Sequence, residues 1–207
     1  MQTIQIDSLA LEPGMRVLDL GCGQGRHLHG LYWDQTPVTA VGLDLSYEDV
    51  CIALDKFFEL PPPEPASDQR GAVLTTGTGE HLPFPDNTFD RVFCLFSFRD
   101  FKDKRQGLSE MLRVLKPGGQ LIICDAGKAN WLHGIFGRIY MATFVQLVAR
   151  WVTKDPNHPW KWLARTYTHY GTHGFYKSMM REVGYTDVKA RLLFPGMSSR
   201  FKANKPK

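Results

Sequence analysis

Short, almost continuously apolar runs alternate with amphipathic segments along the first 125 residues of this 207-residue chain. Runs of that length are typical of strands buried on both faces, and the segments between them have helical spacing. The alternation therefore predicts an α/β fold with a mostly parallel sheet. The predicted strands are residues 16–20, a run that ends at Asp44, residues 72–76, 91–96 and 120–125, and a closing C-terminal hairpin of residues 187–193 and 199–203.

The segments between these runs predict the helices. Helices are expected at residues 3–11, 26–33, 46–59 and 104–115, and within residues 171–183. Residues 130–170 are expected to be mainly helical, with interruptions near Pro156 and Pro159, and the proline-rich residues 61–70 to form a loop. Residues 1–207 are expected to form one domain, in which residues 128–170 are a helical lid over a substrate pocket.

The first predicted strand contains Asp19 and leads directly into a turn with glycine at every second position, Gly21, Gly23 and Gly25. Glycine there lets a ligand approach bare backbone N–H groups at the start of a helix. The second strand brings Asp44 to the same edge of the sheet, where a carboxylate can accept hydrogen bonds from ribose hydroxyls. The pattern predicts a site for a nucleoside-bearing cofactor.

The glycine spacing distinguishes two classes of cofactor. The dinucleotide fingerprint G-x-G-x-x-G would need its third glycine where this chain has Arg26. The form D-L-G-C-G-x-G instead resembles motif I of class I S-adenosylmethionine (SAM)-dependent methyltransferases. The resemblance implies SAM as cofactor and a Rossmann-like methyltransferase sandwich, with a mostly parallel seven-stranded sheet, an antiparallel C-terminal hairpin and a helical lid insertion. Cys22 is expected to be a small turn residue and not a nucleophile.

A second segment, G-E-H-L-P-F-P-D-N-T-F-D at residues 79–90, resembles the stretch before the fourth strand of many methyltransferases. Thr78 stands where those enzymes carry an acid that contacts the adenine amine, and its hydroxyl can still accept from that amine. Asp90 is expected to orient the loop or cap the strand. The predicted cofactor-binding residues are Asp19, Gly21, Gly23, Gly25, Asp44, Leu45, Thr78, Gly79, Glu80, Phe96 and Ser97.

Three further segments resemble the ubiquinone/menaquinone biosynthesis C-methyltransferases of the UbiE type. They are residues 96–103, residues 108–119, which end in R-V-L-K-P-G-G, and residues 175–185. The resemblance implies methylation of a prenylated quinol or a related hydrophobic aromatic. It also implies that Arg99 faces the substrate and stabilises a developing phenolate. The chain departs from the family pattern at Ser97, where glycine is usual, and at Asp100, where asparagine is usual.

The predicted catalytic residues are Arg99 and Asp100, and alternatives remain open for both roles. Arg99 could instead form a surface ion pair with Asp100 or Asp103. Several residues could accept the proton, and the sequence does not choose among them. These candidate bases are His133, His169, His173, Asp100 and Tyr140.

Charge divides the chain into two parts. Residues 1–127 have 11 basic and 18 acidic side chains, net −7, whereas residues 128–207 have 14 basic and three acidic ones, net +11. The basic part contains the mostly apolar residues 131–152, which could form a lid for a hydrophobic substrate, an interfacial membrane helix or an oligomer contact. Peripheral contact with a membrane surface is therefore one expectation. Nucleic acid is not expected as a partner, because no N-P-P-Y-type or Cys-nucleophile motif follows the fourth strand.

The cysteines and the apolar runs bear on where in the cell the protein is expected to act. The four cysteines are widely spaced and suit reduced thiols in a cytoplasmic protein, and their spacing suggests no metal site. No uncharged apolar run of 18 residues exists, so no membrane span is expected, and no secretory signal is recognisable. Methylation of another small molecule or lipid at O or N, or SAM binding without catalysis, remain alternatives to quinol C-methylation.

Overall fold

A computed structural model describes residues 10–33, 38–58, 71–155, 170–193 and 198–207. Within those ranges, seven strands form one sheet in the order β3-β2-β1-β4-β5-β7-β6. The strands are β1 Arg16–Leu20, β2 Thr39–Asp44, β3 Gly71–Thr76, β4 Phe89–Leu95, β5 Leu115–Ala126, β6 Thr186–Leu193 and β7 Ser198–Asn204. Only β7 pairs antiparallel with its neighbours, β5 and β6, so the predicted mostly parallel sheet with its C-terminal hairpin is confirmed.

Helices flank the sheet. They are α1 Arg26–Trp33, α2 Tyr47–Phe58, α3 Lys104–Val114, α4 Trp131–Ala142, α5 Phe144–Thr153 and α6 His173–Val183, with a one-turn 3₁₀ helix at Phe98–Asp100. Residues 3–9 of the first predicted helix, the loop 61–70 and residues 156–169 lie outside the described residues. Ala10 and Leu11, where that helix is predicted to end, are described and are not helical.

Alternation along the strands creates two cores, one on each face of the sheet. On β4, Val92 and Cys94 join the core beneath α3 and α6, whereas Phe93 and Leu95 join the core beneath α1. Both sets are almost fully buried, which explains why the strand reads as a continuous apolar run. The strand order reverses between β1 and β4, so their carboxyl ends open a crevice there.

The start of β5 differs from the prediction. The sequence Lys116-Pro117-Gly118-Gly119 predicts a turn before a strand at residue 120, but β5 begins at Leu115 and contains these residues as a large bulge. The register moves from Phe89 opposite Leu115 to Arg91 opposite Gln120. Gly118, at φ +75, donates its N–H to the carbonyl of Lys205 at 3.1 Å, which ties the bulge to the residues after β7.

The helical stretch Trp131–Thr153 is also divided more finely than expected. Thr143, at φ −112 and ψ −79, ends α4 and precedes α5. The 23 residues of the stretch are long and apolar enough, by length and composition alone, to cross a membrane. Arg138 and Arg150 interrupt the stretch, so it is consistent with the absence of an uncharged apolar run of 18 residues.

Candidate active site

The glycine turn after β1 is held against the ends of β2 and β4. Gly21 donates its N–H to the carbonyl of Leu43 at 2.7 Å and adopts a φ of +77. A Cβ at Gly21 would overlap the side chain of Ser97, whose hydroxyl donates to the carbonyl of Leu20 at 3.0 Å. Glycine is required at this position because the backbone conformation and the nearby serine both exclude a side chain.

Asp44 lies at the end of β2 with its carboxylate fixed by backbone groups. Its Oδ2 accepts the N–H of Gly23 at 2.7 Å, and its Oδ1 accepts the N–H of Ser46 at 2.9 Å. Each carboxylate oxygen can accept a second hydrogen bond. The carboxylate is therefore oriented in advance and keeps capacity for two hydroxyl donors.

A cavity of about 630 Å³ opens at this edge of the sheet. Eight of the predicted site residues line it: Gly21, Asp44, Leu45, Thr78, Gly79, Glu80, Ser97 and Asp100. The other five predicted residues, Asp19, Gly23, Gly25, Phe96 and Arg99, are not among the described residues that line it. Gly23 still acts on the cavity through its bond to Asp44, whereas Gly25 packs against Ala53 and Phe57 of α2.

Phe101 forms one wall of the cavity and was not expected from the sequence. A Cβ at Gly79 or at Gly107 would overlap the ring of Phe101, so two glycines allow the ring to lie between them. Glu80 fixes the following loop by accepting the N–H of Lys102 at 2.8 Å. The spacing of these glycines is visible in the sequence, but the ring that they enclose lies more than twenty residues from Gly79.

The L-P-F segment, residues 82–84, is held by two side chains of α3. Glu110 of α3 accepts the N–H of Leu82 at 2.7 Å and two hydrogen bonds from Arg113, at 2.8 and 2.9 Å. Arg113 also donates to the carbonyls of Leu82 and Phe84 and to Asp86. Because Arg113 binds it directly, the pKa of Glu110 is lowered from its ordinary value. The segment is a structural brace between the strand β4 and the helix α3.

Asp90 has the structural role that the sequence predicts. Its Oδ2 accepts the N–H of Arg16 at 2.9 Å and the ammonium of Lys116 at 2.8 Å. The contacts join the beginnings of β1 and β4 to the bulge of β5, at the end of the sheet away from the cavity. Asp90 thus orients the strand.

Arg99 has a partner that its sequence neighbours do not suggest. Its Nη1 donates to Oδ1 of Asp125 at 3.0 Å, and its backbone N–H donates to Oδ2 at 2.8 Å. Asp125 is fully buried at the end of β5, and burial raises its pKa even though Arg99 opposes this shift. The expected pairing with Asp100 is only a looser contact at 3.7 Å, and no pairing with Asp103 is observed among the described ion pairs. An acid at the end of the strand next to β4 is the signal that would have indicated Asp125.

Asp19 is buried beneath the glycine turn. It is 0% exposed, and neither carboxylate oxygen has a hydrogen-bond partner among the described residues. His27 Nδ1 lies 3.8 Å from its Oδ2. Burial, followed by the charge of Asp44, raises the pKa of Asp19 well above its ordinary value. The turn therefore covers a buried carboxyl group whose pKa is raised.

Two cysteines near the site are inert by their surroundings. Burial raises the pKa values of the Cys22 and Cys94 thiols, and Cys94 is in hydrogen-bond contact with Ser97 at 3.1 Å. A thiolate is needed for nucleophilic attack, and these environments disfavour it. The location of Cys22 agrees with its expected role as a turn residue.

The candidate bases are dispersed. His133 has an Nδ1 that is buried and makes no hydrogen bond within the described ranges, and His173 bonds through its ring to Ser199. Tyr140 stacks on Phe144 with ring centroids 5.3 Å apart. None of these three lines the cavity as described, whereas Asp100 does. His169 lies outside the described residues.

The residues present fit SAM. The cavity joins a preoriented carboxylate to a glycine turn, the arrangement that a ribose and its neighbouring groups require. Leu45 and Phe101 add apolar side chains to the cavity lining. The sheet order and this site define the class as SAM-dependent methyltransferases.

Comparison with known proteins identifies the family. The profile described as "Methyltransferase domain" matches residues 18–123. The chain belongs to this methyltransferase family. It is 32% identical over 181 residues to the ubiquinone/menaquinone biosynthesis C-methyltransferase UbiE of Geobacter sulfurreducens, which covers 86% of this chain and 67% of that one. It is 30% identical over 199 residues to a demethylmenaquinone methyltransferase of Corynebacterium kroppenstedtii, which covers 95% of this chain and 79% of the relative.

Solved structures show the same fold. A SAM-dependent methyltransferase from Aquifex aeolicus superposes with a TM-score of 0.66 at 21% identity, over 98% of this chain and 88% of that chain. A phosphoethanolamine N-methyltransferase of Haemonchus contortus in complex with SAM gives a TM-score of 0.73 at 16% identity, over 100% of this chain and 52% of the other. The predicted fold, enzyme class and cofactor are confirmed: the protein is a SAM-dependent methyltransferase.

Proposed function

We propose that this methyltransferase methylates a ring carbon of a prenylated quinol or a related hydrophobic aromatic. The observation that carries the proposal is the guanidinium of Arg99, fixed by buried Asp125 at the carboxyl edge of β4 and β5 and next in sequence to Asp100, which lines the cavity. A fixed cation there would stabilise the negative oxygen that makes the neighbouring ring carbon nucleophilic. The similarity to relatives named as quinone methyltransferases supports the same substrate class.

The cavity residues would hold SAM in a defined way. Asp44 would accept the two ribose hydroxyls, and the backbone at Gly21 would approach the ligand closely. Thr78 and Gly79 would contact the adenine, with Glu80 fixing the loop around it. Leu45, Phe96 and Ser97 complete the proposed set at the strand ends, and Gly23, Gly25 and Asp19 shape the turn beneath them.

Methyl transfer requires the protein mainly to align the methyl donor with the acceptor and to stabilise the developing charge. SAM, when bound, would supply a methyl group from its sulfonium sulfur, which keeps the electron pair of the broken S–CH₃ bond. The acceptor ring carbon would provide the electrons of the new C–CH₃ bond and would then lose its proton. Arg99 holds the acceptor oxygen. Asp100 lines the cavity and carries a half-exposed carboxylate, and we assign it as the group that receives the ring proton.

A methyl-transfer screen with labelled SAM tests the acceptor class. The panel contains demethylquinols, small phenols, phospholipid amines and RNA. We expect label in the demethylquinol product, loss of that turnover in Arg99→Ala, and unchanged SAM affinity. Arg105→Ala is the matched control, because Arg105 forms an exposed ion pair with Glu182 away from the cavity. Label in an amine, or full turnover by Arg99→Ala, would contradict the assignment.

The helices α4 and α5 are proposed as a lid that rests on a membrane surface. On α4, Leu132, Ile135, Phe136 and Ile139 form one exposed apolar stripe at helical spacing, opposite the buried face. On α5, the stripe is Phe144, Leu147, Val148 and Trp151. Soluble surfaces rarely expose apolar patches of this extent. We name these eight residues the apolar lid face.

Charge selects the membrane as the occupant of the apolar lid face. Arg138, Arg150 and Lys154 are exposed at its borders, and residues 128–207 carry a net charge of +11. Basic residues beside an apolar helical face favour an anionic lipid surface. The four cysteines are free thiols, which suits a location on the cytoplasmic side. Lipid contact would also present a prenylated acceptor to the site.

Vesicle flotation tests this partner. We expect the protein to float with phosphatidylglycerol-containing vesicles, and the double variant Phe136→Ser with Leu147→Ser to remain in solution. Val73→Ser is the control, since Val73 is an exposed apolar side chain on β3 outside the lid face. If the protein does not float but light scattering shows a dimer that the double variant loses, the face is an oligomer contact instead.

A further inference from the structure

The hydroxyl of Tyr170 is a buried polar group with no hydrogen-bond partner among the described residues. The residue is 5% exposed, and its hydroxyl makes no hydrogen bond to any described residue. Its ring packs on Tyr176 with centroids 4.7 Å apart, and the Tyr176 hydroxyl is itself occupied by the N–H of Gly171 at 3.2 Å. An unpaired hydroxyl in the interior is unfavourable for folding, and an acceptor on a bound ligand would satisfy it.

Backbone pairing places Tyr170 at the same edge as Arg99 and Asp125. Thr172 forms a bridge with Lys128, three residues after Asp125, and His173 donates its N–H to the carbonyl of Lys128 at 2.9 Å. Tyr176 also packs on Phe98, the residue before Arg99, with centroids 5.8 Å apart. The segment that carries Tyr170 therefore runs beside the Arg99–Asp125 ion pair.

Arg99 has unused hydrogen-bonding capacity at this place. Its Nη1 is bound to Asp125, but its buried Nε has no hydrogen bond among the described residues, and the nearest carboxylate, on Asp100, is 3.7 Å away. Tyr170 is also a donor, because burial, reinforced by the charge of Asp125, raises the pKa of its phenol. Two buried donors at one edge of the sheet match a ligand oxygen that can accept a hydrogen bond from each of them.

We propose that Tyr170 and Arg99 together form a subsite for the oxygen of the methyl acceptor, a phenolic hydroxyl or phenolate next to the carbon that is methylated. The subsite rests on the proposed function and extends it to substrate selection. An acceptor oxygen satisfies both donors at once, whereas an ammonium group would meet two donors and a guanidinium charge. The subsite therefore selects oxygen-bearing aromatics and rejects amines.

The variant Tyr170→Phe tests the subsite because it removes only the hydroxyl. We expect equal or higher thermal stability, unchanged SAM affinity, and a fall of at least tenfold in kcat/KM for the acceptor that the wild-type enzyme uses. Calorimetry on enzyme saturated with S-adenosylhomocysteine should show a similar loss of affinity for a short-chain demethylquinol. A purely structural role for the hydroxyl would not explain this combination of retained or gained stability with lost activity.

Tyr185→Phe is the matched control. Tyr185 is also buried, but its hydroxyl donates to the carbonyl of Leu108 at 3.1 Å. This variant should lose thermal stability and keep its kcat/KM. Full activity in Tyr170→Phe while wild type methylates quinols would overturn the subsite alone. Wild-type turnover of amines and not of phenols would overturn both the subsite and the proposed function.

Discussion

Replacing Asp44 with asparagine should weaken SAM binding by roughly 30- to 150-fold, which corresponds to about 2–3 kcal/mol. The two carboxylate oxygens of Asp44 each accept one backbone N–H, from Gly23 and from Ser46. Asparagine has a single acceptor oxygen, so its amide group must face one of these two N–H donors. A hydrogen bond to a charged group contributes about 1.5–3 kcal/mol, and the variant loses that charge and one ribose acceptor.

Isothermal titration calorimetry with SAM and with S-adenosylhomocysteine measures the effect. The same fold-loss is expected for both ligands, because the ribose is common to them and the sulfonium charge is not. Asp49→Asn is the control: it removes a charge close by, its asparagine can still accept from Gln24, and it should change affinity less than twofold. If both variants weaken binding equally, the effect is one of general charge and the ribose assignment of Asp44 is wrong.

Two further predictions concern stability. Glu110→Gln should lower the melting temperature at neutral pH and flatten its pH dependence. Arg113 lowers the pKa of Glu110 below its ordinary 4.5, so the stabilisation of the fold by the ionised Glu110 is complete above that value and is lost as pH falls through the folded-state pKa. If this is wrong, melting temperatures measured against pH will have equal slopes for the wild type and the variant. Gly21→Ala should cost about 1–3 kcal/mol from its overlap with Ser97. Adding Ser97→Gly should recover part of this, leaving about 1 kcal/mol for the positive φ, and chemical unfolding that shows no recovery would exclude the overlap as the cause.

The features that sequence reasoning predicted are those with local causes. The strand β4 follows from a run of buried residues, and the glycine turn follows from glycines at every second position directly after a strand. The partner of Arg99 lies 26 residues away on β5, and no local pattern connects the two. The same applies to Phe101, which fills the space left by a distant glycine.

Local signals also misled at two places. Pro117 and two glycines are typical of a turn, but the bulge of β5 is set by its pairing with Lys205, almost ninety residues later. The break between α4 and α5 falls at Thr143, where no proline or glycine marks it. At the bulge, a contact distant in sequence accompanies the backbone path, whereas at Thr143 the hydroxyl donates locally to the carbonyl of Ile139.

The interior position of β7 has a consequence for the order in which the protein matures on the ribosome. The strands β1 to β5 and the described residues that line the cofactor cavity all precede Gly127, so they leave the ribosome before α6, β6 and β7, which complete one of the two cores. The strand β6 emerges before β7, its neighbour in the sheet, and the edge of β5 stays unpaired until then. A nascent chain at this stage exposes an unpaired apolar strand edge, which can bind chaperones or pair with other chains and aggregate. The residues that would hold SAM are thus synthesised before the edge of the sheet is protected.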